Sequence, residues 1–117
     1  MSERKIELYE THDGKVPVQD FLDELPRAHK AKAFQEIDLL ALFGAELKMP
    51  HAKHLAGKLW ELRIKSHSDI SRIIYFIPVQ EKIILLSGFI KKGNKTPPNE
   101  LNRAKKYLSD WESRFVK

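Results

Sequence analysis

Residues 59–97, LWELRIKSHSDISRIIYFIPVQEKIILLSGFIKKGNKTP, leave this chain few ways to fold, because they hold three consecutive strand patterns ahead of a short basic loop. In 59–65, Trp60, Leu62 and Ile64 alternate with Glu61, Arg63 and Lys65, so one face belongs in a core and the other is largely cationic. Stretches 70–77 and 82–90 are nearly continuous apolar runs rich in Ile, which suits central strands covered on both sides. Arg72 is the one charge inside 70–77, and a charge in such a run needs a reason. The connections at 66–69 and 79–81 are short enough to make the three strands an antiparallel meander.

Before this block, KIELY at 5–9 predicts a short strand with Ile6 and Leu8 facing the core and Lys5, Glu7 and Tyr9 on the other side. Asp13-Gly14 marks a reversal. Pro17 opens a helix carrying Val18, Phe21, Leu22 and Leu25 on one face, and Pro26 ends it. A longer helix over 27–43 turns Ala33, Phe34, Ile37, Leu40 and Ala41 inward and stops at Gly44. The stretch 45–58 reads as a connector with five potential cations, Lys48, His51, Lys53, His54 and Lys58. At the far end Thr96 is placed to cap a helix with Pro97 or Pro98 in its first turn. Leu101, Ala104, Leu108, Trp111 and Phe115 then recur at steps of three and four.

The expected order is strand, helix, helix, strand, strand, strand, helix: a small α+β fold over 1–117 with an N-terminal helical hairpin and a C-terminal helix. The hairpin brings the first strand back beside the meander. Helices would then cover one face of the sheet and leave the other partly open at Glu61, Arg63 and Lys65.

Composition narrows the chemistry. A chain of 117 residues is about one domain with room for a core, and its lack of cysteine excludes thiol catalysis, disulfides and thiolate metal sites. A formal charge of +5 favours an anionic partner. No apolar run approaches the ~20 residues of a membrane span, and no signal-type apolar core follows 1–5, so the expected compartment is the cytoplasm.

Leu59-Trp60-Glu61-Leu62-Arg63, Arg72-Ile73-Ile74-Tyr75, Gly88-Phe89-Ile90-Lys91-Lys92 and Lys95-Thr96-Pro97 together resemble the phage-derived, HigB-like branch of the RelE/ParE toxin superfamily. The resemblance runs from the first strand to the last helix. It implies a RelE-like fold and the toxin half of a type II toxin–antitoxin pair, neutralised by a cognate antitoxin, expected to be a helix-turn-helix protein, that covers the cationic face. RelE-like members typically cut mRNA in the ribosomal A site, whereas ParE-like relatives poison DNA gyrase. The reading taken forward is a ribosome-dependent mRNA endoribonuclease. A gyrase inhibitor and a non-catalytic regulator binding nucleic acid or an acidic protein stand as alternatives.

Metal-free RNA cleavage must remove a proton from the 2′-hydroxyl, stabilise a pentacoordinate phosphate and protonate the departing 5′-oxygen. Arg63 and Arg72 suit the second task, since an arginine fork matches phosphate oxygens and stays charged. Proton transfer falls to His54 or to Lys58, Lys91 or Lys92, with His54 and Lys92 placed beside the arginines in the catalytic set. Lys53, Lys58, Lys65, Lys91 and Lys95 form the expected RNA and ribosome contacts. Two alternatives stay open. Arg72 can instead pair with Glu61 or Asp69, and Trp60 and Tyr75 can be core residues rather than base-stacking platforms. His51 and His54 lack further ligands at useful spacing, so no metal or other cofactor is expected. The last segment carries Tyr107 and Trp111 but no clear match for the C-terminal tyrosine or histidine of the best-known RelE-type nucleases, which leaves the acid and base unassigned.

Overall fold

In the computed structural model, which describes residues 3–79, 81–91 and 95–116, the chain runs β1 (Lys5–Leu8), α1 (Pro17–Asp23), α2 (Arg27–Phe43), a 3-10 turn (Gly44–Glu46), β2 (Ala52–Ala56), β3 (Leu59–Ser66), β4 (Asp69–Val79), β5 (Lys82–Ile90) and α3 (Pro98–Phe115). The five strands form one sheet in the order β1-β5-β4-β3-β2, with β1 parallel to β5 and every other pair antiparallel. This is the expected α+β architecture, and the α1–α2 hairpin is the crossover that lets β1 lie parallel beside β5. Gly44 ends α2 at φ 56, a backbone angle that costs glycine little.

The two faces of the sheet have different covers. Ile64, Leu62, Ile73, Tyr75, Ile83 and Leu85 pack against Val18, Phe21 and Leu22 of α1 and Ala33, Ile37 and Leu40 of α2. Leu59, Ile74, Phe76, Ile84, Leu86 and Phe89 pack on the opposite side against Ala104 and Trp111 of α3. Helices were expected on one face only. The C-terminal helix instead takes the second face, because β4 and β5 are apolar on both sides and α3 carries a matching stripe. Tyr9, expected on a polar face, is buried under α3, where its hydroxyl donates to Asp110 at 2.5 Å. Burial, with that hydrogen bond, pushes its pKa up to about 12.

Further expectations need correction. The stretch 45–58 is not only a connector, for residues Ala52–Ala56 pair with β3 as an edge strand, and β2 was missed because AKHLA shows no clean alternation. Phe34 and Phe115 are exposed rather than inward. On α2 the inward positions near Phe34 belong to His29 and Glu36, which find polar partners beneath the helix. Thr96 does not cap α3. Pro97 occupies the cap position without a side-chain hydrogen bond, Pro98 is the first helical residue, and the Thr96 hydroxyl donates to Glu61 Oε2 at 3.3 Å.

A bulge sets the pairing of β5. Ile74 faces Ser87 and Tyr75 faces Leu85, so Leu86 is the extra residue and the in–out alternation shifts by one beyond it. The shift turns Gly88 toward α1, where a Cβ would run into the Phe21 ring. Replacing Gly88 by Ala should therefore destabilise the protein by about 1–3 kcal/mol, since a buried ring must move. Thermal melts should show the loss, and Phe21→Leu in the same chain should recover part of it.

Candidate nucleic-acid interface

Residues directly opposite on neighbouring strands share a face. Across β3, β4 and β5 the row Arg63, Arg72, Phe89 lies on the α3 side, as does the row Lys53, Glu61, Ile74, Ser87 across β2 to β5. Lys91 follows in phase with Phe89, held by its N–H bond to the Ile70 carbonyl at 2.8 Å. α3 lies over β5 and stops short of this end of β3 and β4, leaving Arg63 half-buried and Lys53 and Lys65 exposed. A pocket of about 620 Å³ opens here, lined by Arg63, Lys65, His67 and Arg72 and bounded across the sheet edge by Lys32, Glu36 and His51.

Glu61 and Arg72 are both buried, and Arg72 Nε stands 3.3 Å from Glu61 Oε2. The choice between Glu61 and Asp69 as partner thus falls to Glu61. Asp69 sits at the start of β4 with the opposite in–out phase, whereas Glu61 is diagonal to Arg72 on the same face, within reach of a long side chain. The contact is a close ion pair without an aligned N–H bond, for Arg72 Nε has no hydrogen-bond acceptor among the described residues. Arg72 Nη1 donates to the Ser71 carbonyl at 3.0 Å. Desolvation lowers the Arg72 pKa, Glu61 opposes that shift and Arg63 adds to it.

Lys91 reports the same field. Its pKa is lowered, first by desolvation and then by Arg72, with Arg63 and Lys53 pushing the same way and Glu61 pushing back. Arg63, Arg72, Lys53 and Lys91 thus surround a single carboxylate. Like charges directly opposite across a strand pair destabilise a sheet, so the Arg63–Arg72 pair is best satisfied by an anion.

Other sequence-predicted residues lie elsewhere. His54 pairs across the strands with Trp60, which pairs with the core residue Tyr75, so its row faces α1 and α2. Its Nε2 is 2.8 Å from the Gly57 carbonyl and its ring meets Trp60 edge-on. Tyr75 is core, and Trp60 is half-buried on the same side with Lys48 over its ring, so neither offers a stacking platform beside the arginines. Lys58 is exposed and paired with Glu112 at 2.5 Å. Lys95 is exposed just before Thr96, and Lys92 lies outside the described residues. His51 Nδ1 is 2.9 Å from Glu36 Oε1, and no group of three or more His, Cys, Asp or Glu gathers among the described residues. Two contributors escaped the sequence reading, the burial of Glu61 and its tether to Thr96. The signal for the first was present, since Glu61 stands between Trp60 and Leu62, two positions from Arg63 in a strand facing Arg72.

A family model described as "Phage derived protein Gp49-like (DUF891)" matches residues 20–109, from within α1 to within α3, and so takes in every residue of this face. The chain belongs to that family. Gp49-like proteins are among the RelE-type, toxin-like families of toxin–antitoxin systems. No curated protein matches the chain. None of the helices described in this Gp49-like protein is long and apolar enough to cross a membrane.

Removing the one carboxylate should expose the coupling. In Glu61→Gln the buried Arg72 loses its counter-charge, which should cost about 3 kcal/mol. Lys91, already below the ordinary lysine value, should titrate lower still when followed by NMR of its side chain. A lysine with a depressed pKa binds its proton more weakly folded than unfolded. Its contribution to stability therefore rises with pH through the window between its folded pKa and the ordinary 10.5. That window should widen in the variant.

Proposed function

We propose that this Gp49-like protein is the toxin of a type II toxin–antitoxin pair and acts as a ribosome-dependent, metal-independent mRNA endoribonuclease. The observation that carries the reading is the directly opposed pair Arg63 and Arg72 on the uncovered end of the sheet, with one buried carboxylate beside Arg72 and, among the described residues, no ion pair for Arg63. Such a pair fits a phosphodiester passing through a pentacoordinate state, whose added negative charge two fixed guanidinium groups stabilise more than they stabilise the ground state. Arg72 is held by its burial and by Glu61, so little reorganisation is needed when charge develops.

Lys91 is the best-placed donor for the departing 5′-oxygen. Its depressed pKa makes the ammonium a stronger acid than an ordinary lysine, and its position brings it beside both arginines. Proton removal from the 2′-hydroxyl falls to a group outside this described cluster, for which Lys92 is the proposed residue. His54 is the weaker candidate, since it faces α1 and α2. Lys53, Lys65 and Lys95 would contact flanking phosphates, and Lys58 would join them only by leaving Glu112. A cognate antitoxin, proposed to be a helix-turn-helix protein, would silence the toxin by covering the same cationic face.

Arg63 is a cleaner probe than Arg72, because Arg72→Ala strands Glu61 without its partner. Arg63→Ala should lower cleavage of programmed ribosomes by about 10²–10³-fold with little change in the melting temperature. The double variant Arg72→Met, Glu61→Leu should fold and be inactive. Induction in cells followed by mapping of new mRNA 5′ ends tests the target. Cuts confined to translated codons support the nuclease, while intact message with stalled growth refutes it.

The proposed reaction uses no metal as a chemical participant, its charge stabilisation being assigned to Arg63, Arg72 and Lys91. Ribosomes held in magnesium should be cut equally well by chelator-stripped and untreated protein. Activity lost on stripping and regained with zinc or manganese would overturn the metal-free mechanism.

A further inference from the structure

A second surface lies at the outer edge of β5, away from the arginine pair. β1 pairs only with Lys82 to Leu85, and the Tyr9 N–H bond to the Leu85 carbonyl at 2.9 Å closes that ladder. From Ser87 to Ile90, β5 has no strand on its outer side among the described residues. Since the Lys91 N–H points inward to Ile70, alternation directs the N–H and C=O groups of Gly88 and Ile90 outward. An open edge of this kind is a template for another extended chain.

Beside the edge, α1 and α3 wall a pocket of about 700 Å³. Phe21 and Tyr107 give it apolar sides, and the Ile90 side chain is 59% exposed at its rim. Ser87 also lines it, 2% exposed, with a hydroxyl that has no hydrogen-bond partner among the described residues. Asp20, Glu24 and Glu100 make the walls acidic on a chain whose net charge is +5. Arg103 answers Glu100 at 3.1 Å, but Asp20 and Glu24 make no ion pair among the described residues.

We infer that this groove binds an extended segment of a partner protein that adds a strand to the β5 edge and places a lysine or arginine between Asp20 and Glu24. The backbone groups of Gly88 and Ile90 supply pairing, the Ser87 hydroxyl supplies a polar anchor, and the acidic wall selects a basic segment while repelling nucleic acid. Ser87 lies in a row with Glu61, but the groove's acidic wall at Asp20 and Glu24 and its edge groups at Gly88 and Ile90 take no part in the arginine site, so this binding does not depend on the nuclease reading.

The test presents the intact chain to a library of random short peptides displayed on phage. Selected peptides should be extended in pattern and carry a lysine or arginine, and their binding should slow amide exchange at Gly88 and Ile90. Asp20→Lys with Glu24→Lys, exposed positions on α1 and just past its C-terminus, should weaken binding by at least about tenfold without lowering the melting temperature. Arg63→Ala should leave it unchanged. The inference is overturned if the library yields no binder, if the double variant binds as well as the parent, or if protection falls on the arginine face instead.

Discussion

A carboxylate buried in a sheet needs a partner, and much of this protein's functional face is arranged around the one at Glu61. Arg72 reaches it diagonally from β4, and the Thr96 hydroxyl donates to it from the approach to α3. Two neighbouring strands and the approach to α3 therefore meet at one carboxylate oxygen, Glu61 Oε2. The geometry is incomplete as a purely structural salt bridge, because the Arg72 Nε contact is not an aligned hydrogen bond and Arg63, directly opposite, makes no ion pair among the described residues. Buried ion pairs seldom outperform apolar packing, so one that leaves a donor unmet beside a second arginine adds little as a stabilising device.

The layering follows from the same sheet. Apolar residues on both faces of β4 and β5 require cover on both sides, which α1 and α2 give on one and α3 on the other. α3 is too narrow to cover the whole second face, and it docks where the apolar residues are, over β5. The polar end of β3 is left free, so the open cationic ground is a by-product of where the apolar residues stop.

The sequence carried the element order well. Alternation in β3, the apolar runs of β4 and β5 and the proline and glycine stops of the helices are local signals, and each was legible without tertiary information. Arg72 stood out as the one charge inside an apolar run, and Arg63 as part of the cationic face that alternation assigns to β3. His54 was harder to place. Its spacing from His51 and its neighbouring lysines look like part of a basic cluster, yet it lies on a row with Trp60 and Tyr75 because β2 pairs with β3. A strand that is not recognised cannot have its faces assigned.

Residue types and their periods by themselves determined the strands, the helices and the surplus of positive charge, because those depend on neighbours a few positions away. Only the tertiary structure decided which cations share a face. That outcome rests on the β3–β4 register, on the bulge at Leu86 and on the side taken by α3, contacts that lie outside the few neighbouring positions over which a period is read. Glu61 shows the difference most clearly. Its alternation marks it as facing away from Trp60 and Leu62, but whether that face meets water or a buried arginine is set by strands and a helix that its own sequence neighbourhood does not contain.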